Sequence, residues 1–380
     1  MDFNLTNEQE LLRDGLTKFL GSRYDLASSR AAAKTGPGWQ PEIWRGFADE
    51  LGILGATLPE QAGGIGGGPV ETMVIAEALG HALVIEPFVD TVVVAGGLLH
   101  RSGETAAAAL LEEIVAGSAI VALAATEPAS GDNWRDVSTT AHRNGDEWVL
   151  NGAKVMAVDA PLATHLLVTA RTSGERADTD GISLFLIDIS SLAAGFTAHP
   201  YRTVDDRRAS DLTFSDVRLP ASALLGTEGQ AWPSLDLARD EGAAAVCAEA
   251  VGGMRKVLAD TVEYCKQRQQ FGLPIGSFQA LQHRMVDMHM EVEQASAAVY
   301  LAVLNLDAEP AQRAKAVSAA KATIGRAARF VGQNAVQLHG GMGMTEELAI
   351  GHYFKRLTAV QYEFGSTDYH VGRYAELTRG

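Results

Sequence analysis

The sequence is poor in cysteine and has fewer basic than acidic residues, and these shortages exclude several classes of function. Of its 380 residues only Cys247 and Cys265 are cysteine, and their spacing fits no metal motif. We expect two buried thiols in a reducing compartment. The formal net charge is −16, which argues against nucleic acid or an anionic membrane as the main partner. A local basic cluster could still hold an anionic ligand.

Long apolar runs are also missing. No window reaches the roughly 18 uninterrupted apolar residues of a membrane span. The first residues, Met1 to Leu5, carry no basic stretch followed by an apolar one, so we see no secretion signal. His283 and His289 are not four apart on their predicted helix, as a zinc-binding pair would be. The sequence therefore predicts a cytoplasmic protein without a metal site.

Residues 1–115 predict an all-α N-terminal domain. Thr6 and Gln9 have the spacing of a capping box, and an apolar stripe from Leu11 to Leu20 follows them. Pro41 opens a second helix. The Gly-rich segment 63–68 then precedes another helix. It contains a G-x-G, as phosphate-binding loops do, but no strand leads into it and its third glycine is misplaced, which favours a structural loop.

Residues 116–222 predict a middle β domain. Strand-length segments follow one another, several with period-two alternation, and turns such as Asn144-Gly145 and Asn151-Gly152 separate them. No long helical pattern lies between them, so an antiparallel barrel or sandwich is favoured over a parallel sheet. The segments are 119–125, 137–141, 148–150, 166–170, 182–187, 196–199 and 212–214.

Residues 223–380 predict a helical domain. One apolar stripe runs from Leu281 to Ala302 and another from Val317 to Ala335, with a turn at 307–310 between them. Long antiparallel helices with a short connection are typical of a four-helix bundle. The fold class is therefore α+β, in the order α-helical domain, antiparallel β domain and helical bundle.

Two motifs in the C-terminal half are specific. One runs from Arg268 through Gln270-Phe271-Gly272 to Gln279, and the other is Gln337-Leu338-His339-Gly340-Gly341. Weaker motifs precede them at Pro59–Gly64, Thr126-Glu127-Pro128 and Asn151-Gly152-Ala153-Lys154. Together with the order of the domains, these motifs resemble the acyl-CoA dehydrogenase family over essentially the whole chain.

The resemblance implies FAD as the cofactor and a homodimer or homotetramer whose subunits share it. Thr126 would form a hydrogen bond to the isoalloxazine ring. A second group would hold the pyrophosphate and adenosine of the flavin in a neighbouring subunit: Arg268, Phe271, Gln279, Gln337, Gly340 and Gly341. Such a cofactor needs polar donors for its ring and cationic or helix-terminal groups for its pyrophosphate. A solvated arginine at a helix end is the alternative for Arg268, and the family spacing of Phe271 and Gln279 disfavours it.

The chain also departs from the family beside the ring. The family commonly has Trp and Thr where this chain has Met156 and Val158, and the Thr reaches flavin N5. Val158 has no hydroxyl, so any hydrogen bond to N5 must come from its backbone. Ser366, in the turn after Gly365, is counted as a further flavin contact.

The proton-abstracting carboxylate is absent from both places where the family has one. Dehydrogenation of an acyl thioester needs a carboxylate to take the α-proton while hydride leaves the β-carbon. A gapless count places one such glutamate at Phe364, beside Glu363, and the other at Gly242, beside Glu241. We take Glu241 as the catalytic residue, with a structural ion pair or a positioning role as open alternatives. As a base, Glu241 should face the flavin and should not be in a salt bridge with an arginine.

The predicted function is FAD-dependent α,β-dehydrogenation of an acyl-CoA, with an acceptor of the electron-transfer flavoprotein type. The role would fall in fatty acid or sterol side-chain β-oxidation. Arg239–Ala243 and Phe364–His370 look most like the small subunit of pimeloyl-CoA dehydrogenases and the paired acyl-CoA dehydrogenases of actinobacterial sterol breakdown. Two alternatives stay open. One is a non-catalytic subunit that completes the flavin site of a heterotetramer, and the other is a flavin monooxygenase on the same fold.

Overall fold

A computed structural model of the chain describes residues 4–192 and 194–379. They form two compact units. One unit contains the residues up to 29, residues 69–84 and the chain from 243 onward; the other contains residues 30–68 and 85–242. These units cut across the three domains expected from the sequence, 1–115, 116–222 and 223–380, whose boundaries stay a prediction.

The N-terminal segment is helical, as predicted. Its helices are α1 (Asn7–Arg23), α2 (Leu26–Thr35), α3 (Pro41–Asp49), α4 (Pro69–Ala82), α5 (Gly96–Ser102) and α6 (Thr105–Val115), with a π-helix at Val89–Ala95. The capping box is confirmed: the Gln9 N–H donates to the Thr6 hydroxyl at 3.3 Å, and the Thr6 N–H donates to the Gln9 side chain at 3.0 Å. Leu16 and Leu20 are buried, but Leu11 at the start of the predicted stripe is exposed.

The Gly-rich segment 63–68 is a structural loop. The N–H groups of residues 65–67 donate to backbone carbonyls at 2.8–2.9 Å. A Cβ atom on Gly64 would lie 2.1 Å from the Leu58 carbonyl oxygen, so the loop is closely packed on the chain before it. Because the chain itself takes these donors, they are not free to bind a phosphate.

The middle segment is a β domain. Its strands are β1 (Val121–Ala124), β2 (Thr140–Asn144), β3 (Glu147–Val158), β4 (His165–Arg171), β5 (Ile182–Asp188), β6 (Phe196–Arg202), β7 (Arg208–Pro220) and β8 (Leu224–Leu225). The sheet order is β6-β7-β3-β2-β4-β5-β8, with β1 beside β4. All neighbours are antiparallel except the β1–β4 and β2–β4 pairs. The mainly antiparallel sheet is as predicted. Its core includes Trp148, which packs edge-on against Phe185 with ring centroids 5.3 Å apart.

The C-terminal segment is helical, as predicted. It comprises α7 (Trp232–Gln267), a short hairpin of β9 (Gln269–Gln270) and β10 (Leu273–Pro274), α8 (Gln279–Val303), α9 (Pro310–His339), α10 (Ala349–Ala359) and α11 (Thr367–Arg379). Helix α9 packs against α8, α10 and α11. Its predicted apolar stripe from Val317 to Ala335 is buried. Helix α9 therefore lies at the centre of the packing of these helices.

The sequence also raised expectations about the cysteines, metal ligands and membrane-spanning helices. Both cysteines are free and buried, and burial raises the pKa of the Cys247 thiol to about 12. In the described part of the chain, no cluster of three His, Cys, Asp or Glu side chains is placed to hold a metal ion. No helix in residues 4–192 and 194–379 has the length and apolar character needed to span a bilayer. The cytoplasmic location stays a prediction.

Candidate functional site

The turn that carries Thr126 is fixed to β3 by a buried ion pair. Lys154 Nζ donates to Glu127 Oε1 at 2.7 Å, and the two side chains are 0% and 1% exposed. The Val155 N–H donates to the Thr126 carbonyl oxygen at 2.9 Å. Two motifs that are separate in the sequence, Thr126-Glu127-Pro128 and Asn151–Lys154, are therefore adjacent in the fold.

Burial and pairing act in opposite directions on this ion pair. Burial tends to raise the pKa of Glu127, but Lys154 and donors from residues 138 and 139 bring it down to about 2. Burial lowers the pKa of Lys154 to about 8, against the pull of Glu127. Lys154 also donates to the Thr169 hydroxyl at 2.8 Å, so the ammonium is held by a second polar partner.

Thr126 has the properties of a ligand-binding residue. It is half-buried, and its hydroxyl forms no hydrogen bond within the described residues. Val158 ends β3, is half-buried and pairs with Ala209 of β7. Met156 lies where β3 shifts register, has φ of +52° and is 50% exposed. A hydroxyl on a fixed turn is a suitable partner for a polar ring edge.

The Arg268 motif is a tight hairpin after α7. Gln270 pairs with Leu273, and the two loop residues Phe271 and Gly272 have φ of +56° and +79°. Positive φ at both loop positions is typical of the two-residue turns that match strand twist. Phe271 is unusual there, because aromatic residues rarely adopt this conformation and its side chain is 91% exposed. A strained, exposed aromatic indicates a binding role better than a folding role.

Three exposed polar side chains belong to the Arg268 and Gln337 motifs. Arg268 is exposed, and its guanidinium forms no hydrogen bond or ion pair within the part of the chain that the structure describes. Gln279 begins α8 and Gln337 lies near the end of α9; both are exposed. An arginine fork and two amides are the donors that suit a pyrophosphate and an adenosine.

The glycine motif at the end of α9 offers open backbone. Gly340 has φ of +59° and ψ of −140°, a conformation that is essentially restricted to glycine. A Cβ on Gly340 or Gly341 would meet no atom within 4 Å, so a ligand can approach the main chain there. His339 stacks on Tyr264 of α7 with centroids 4.3 Å apart. This contact joins the glycine motif to the helix that leads into Arg268.

These groups fit FAD by their chemistry. Arg268, Gln279 and Gln337 are exposed donors, Phe271 is an exposed aromatic ring and Gly340 has open backbone. Considered by itself, Thr126 offers a hydroxyl that has no partner among the described residues. Ser366 begins the turn into α11 and its hydroxyl accepts the Tyr369 N–H at 3.2 Å. The flavin roles of these residues stay predictions, and none of their positions opposes them.

The carboxylate of Glu241 is held by an arginine. Arg101 Nη1 lies 2.8 Å from Glu241 Oε1 and Nη2 lies 3.0 Å from Oε2, a bidentate pair. Arg101 Nη2 also donates to the Ser234 carbonyl at 3.5 Å. The expectation of a carboxylate that is in no arginine salt bridge is therefore wrong, and the geometry matches the structural ion pair that the sequence left as an alternative. The catalytic role of Glu241 itself stays a prediction.

Glu363 is held in the same way. Arg356 binds both oxygens of Glu363, with Nη2 2.8 Å from Oε2, and both oxygens of Glu249, with Nε 2.6 Å from Oε1. Glu249 and Arg356 are buried, whereas Glu363 is 19% exposed. The two carboxylates nearest to the family's base positions are thus both committed to guanidinium groups.

The turn that contains Phe364 is fixed from α9 and α11. Lys321 is fully buried, and its Nζ donates to the carbonyl oxygens of Val360, Gln361 and Gly365 at 2.9–3.2 Å. His370 Nε2 lies 2.9 Å from the Phe364 carbonyl oxygen. Phe364 itself has φ of +54°. Lys321 and His370 therefore hold the backbone of this turn through its carbonyl oxygens.

Sequence reasoning did not find Arg101, Arg356 or Lys321. A signal existed only for Lys321, which stands in the otherwise apolar face of α9 between Val317 and Ile324. A charge on a buried face requires several partners, so this position could have been marked.

Family models match almost the whole chain. The acyl-CoA dehydrogenase N-terminal domain matches residues 6–125, the middle domain 122–217 and the C-terminal domain 232–377. FadE12 of Mycobacterium tuberculosis, named an acyl-CoA dehydrogenase, is 31% identical over 353 residues, or 91% of this chain and 89% of its own length. The chain belongs to the acyl-CoA dehydrogenase family. It is therefore an FAD-dependent oxidoreductase, and the predicted order of its domains is confirmed.

Two solved structures extend the similarity to three dimensions. The FAD complex of PigA is 27% identical, covers all of both chains and superposes with a TM-score of 0.90. A variant of the Tcur3481-Tcur3483 steroid ACAD is 28% identical, covers 98% of both chains and gives a TM-score of 0.87. As an acyl-CoA dehydrogenase, this chain thus has the fold of a family that binds FAD.

Proposed function

We propose that this acyl-CoA dehydrogenase acts as the flavin-holding subunit of a heteromeric enzyme that dehydrogenates an acyl-CoA thioester between its α and β carbons. An unlike subunit of the same family would provide the carboxylate that removes the α-proton. The observation that carries the proposal is the double pairing of Glu241 with Arg101 and of Glu363 with Arg356. Positions 242 and 364, where the family has its glutamate, hold glycine and phenylalanine.

The physical reason lies in proton affinity. A guanidinium that binds both oxygens of a carboxylate stabilises its ionised form, which lowers its tendency to take a proton, and occupies one acceptor direction on each oxygen. A general base must also reach the proton that it abstracts. Neither glutamate meets both conditions without first breaking a bidentate pair. A carboxylate from elsewhere is the simpler source.

The remaining residues would still have defined roles. Thr126 and the backbone at Val158 would orient the flavin ring, and Arg268, with Gln279 and Gln337, would bind the pyrophosphate and adenosine across a subunit boundary. FAD, when bound, supplies the hydride acceptor, and an electron-transfer flavoprotein would reoxidise it. The similarity to a steroid ACAD supports bulky, steroid-derived acyl groups as substrates to test beside linear ones.

A homomeric dehydrogenase with Glu241 as its base is the second candidate. The observation in its favour is that the pair is accessible to water, with Arg101 and Glu241 side chains 21% and 23% exposed. Ion pairs that solvent can reach contribute little free energy, about 0–1 kcal/mol, and can therefore open. A substrate that displaced Arg101 would release the carboxylate.

The test is anaerobic reduction of the flavin in the chain expressed alone. The purified protein is loaded with FAD and mixed with linear and steroid-derived acyl-CoAs while the visible spectrum is recorded. We expect bound flavin that no acyl-CoA bleaches, whereas dithionite bleaches it. Bleaching by an acyl-CoA, lost in Glu241→Gln, would establish the homomeric alternative. A protein that takes up no FAD at all would contradict both.

A further inference from the structure

The Glu127 carboxylate makes more hydrogen bonds than a turn requires. It accepts from Lys154 Nζ at 2.7 Å, from the Ser138 N–H at 2.7 Å, from the Thr139 N–H at 3.0 Å and from the Ser138 hydroxyl. A carboxylate has about four acceptor directions, so those of Glu127 are essentially filled. A side chain held in this way has one orientation.

The ion pair connects separate parts of the β domain. Glu127 follows β1, Ser138 and Thr139 precede β2, Lys154 lies in β3, and its second partner Thr169 lies in β4. None of these connections is made by the ladder hydrogen bonds of the sheet. The pair thus fixes the turn after β1 with respect to three strands.

Stability alone does not explain a pair at this depth. Replacing a buried ion pair by apolar side chains of similar size is often neutral or stabilising, because the desolvation of both charges offsets their attraction. A retained pair can instead serve to fix one geometry. The neighbouring group whose geometry it fixes is Thr126, which precedes Glu127 and whose carbonyl oxygen accepts the Val155 N–H.

We propose that Glu127 and Lys154 are positioning residues that aim the free hydroxyl of Thr126 at the flavin ring. The proposal rests on the flavin contact of Thr126 that the proposed function includes. Both side chains are buried beneath the turn that carries Thr126. They act through the turn: Lys154 orients Glu127, Glu127 orients the turn, and the turn presents the hydroxyl.

The test is a double-mutant cycle on FAD binding. Dissociation constants of FAD are measured by flavin fluorescence for the wild type, Thr126→Val, Glu127→Gln and the double variant. If Glu127 acts through Thr126, the two losses are not additive. Relative to the wild type, we expect about fivefold weaker binding for Thr126→Val and about tenfold weaker binding for Glu127→Gln. The total loss in the double variant should also be about tenfold. The absorption bands of bound flavin should shift in the same way in all three variants.

A roughly fiftyfold loss in the double variant would overturn the proposal, and so would unchanged binding in Glu127→Gln. Phe185→Leu is the control, since it weakens the core of the same sheet; it should lower the melting temperature and leave FAD affinity and spectrum unchanged. If Glu127→Gln does not fold, Ser138→Ala replaces it in the cycle, with about threefold as its expected single effect. If the folded wild type binds no FAD, that result contradicts the proposed function itself.

Discussion

Arg101 binds both carboxylate oxygens of Glu241, at 2.8 and 3.0 Å. The same relationship joins Arg356 to Glu363. A general base needs a carboxylate that can reach and accept a proton, whereas each of these two carboxylates is bound on both oxygens by a guanidinium. All three domains of the acyl-CoA dehydrogenase family are therefore matched in this chain, while the two glutamates beside the family's base positions are each bound by an arginine.

Releasing Glu241 should not create activity. In Arg101→Met the carboxylate loses its guanidinium, but it stays one residue from the family's position. We expect the variant with FAD bound to remain unbleached by acyl-CoA under anaerobic conditions. The matched control is Arg101→Met combined with Glu241→Gln. If acyl-CoA bleaches the flavin in Arg101→Met, and the rate is lower by about 10²-fold or more in the double variant, Glu241 is a base and the heteromeric proposal is refuted.

Placing a carboxylate at position 364 should create activity. The backbone of this turn is held by Lys321 and His370, so Phe364→Glu changes the side chain and leaves the turn in place. We expect slow bleaching of the flavin by at least one acyl-CoA in a chain that otherwise shows none. Phe364→Gln is the control, since it has the same shape without the charge. Equal behaviour of the two variants would mean that position 364 does not face the substrate.

Removing the free guanidinium should weaken FAD retention. Arg268→Ala loses a charge-assisted hydrogen bond to the pyrophosphate, which contributes roughly 1–3 kcal/mol. The dissociation constant of FAD, measured by fluorescence, should rise by about 5- to 150-fold. Lys266→Ala is the control, because Lys266 is an exposed cation two residues away that pairs with Glu263. An equal loss in both variants would indicate a general effect of charge and not a contact of Arg268.

Removing the buried ammonium of α9 should destabilise the protein. Lys321→Met keeps the length of the side chain but leaves three carbonyl oxygens without a donor. Each such loss costs about 1 kcal/mol or more, so we expect roughly 3 kcal/mol in total. The melting temperature should fall by about 4 °C. In the control Lys266→Met, an exposed position, a change above about 2 °C would be unexpected.

Acid should weaken the protein through Glu127. Its pKa in the folded protein, about 2, lies below its ordinary value of 4.5 because Lys154 and neighbouring donors favour the carboxylate. The stability that this shift contributes is present above pH 4.5 and is lost as the pH falls towards 2; its size is on the order of 3 kcal/mol. Urea unfolding followed from pH 6 to pH 3 should show this loss. A slope that persists unchanged in Glu127→Gln would assign it to other carboxyl groups.

Much of the secondary structure and domain order of this protein could be predicted from its sequence, because the relevant signals are local. The capping box at Thr6, the stripe of α9 and the alternation of the strands depend on residues a few positions apart. They were found as predicted, except that the strand expected at 137–141 begins only at Thr140. The motifs at Arg268 and Gly340, for which we predict flavin contacts, are also local, since hairpin and helix-end geometry are set by a few φ angles. Family, cofactor and domain order followed from such signals.

The state of the carboxylates was decided only by the tertiary structure. Glu241 and Arg101 are 140 positions apart, Glu249 and Arg356 are 107 apart, and Lys321 and Gly365 are 44 apart. No periodicity or turn chemistry connects residues at such separations; only the packing of the helices brings them together. The sequence by itself therefore determined the scaffold and its cofactor chemistry, whereas whether a glutamate is free or paired depended on which arginine the fold placed beside it.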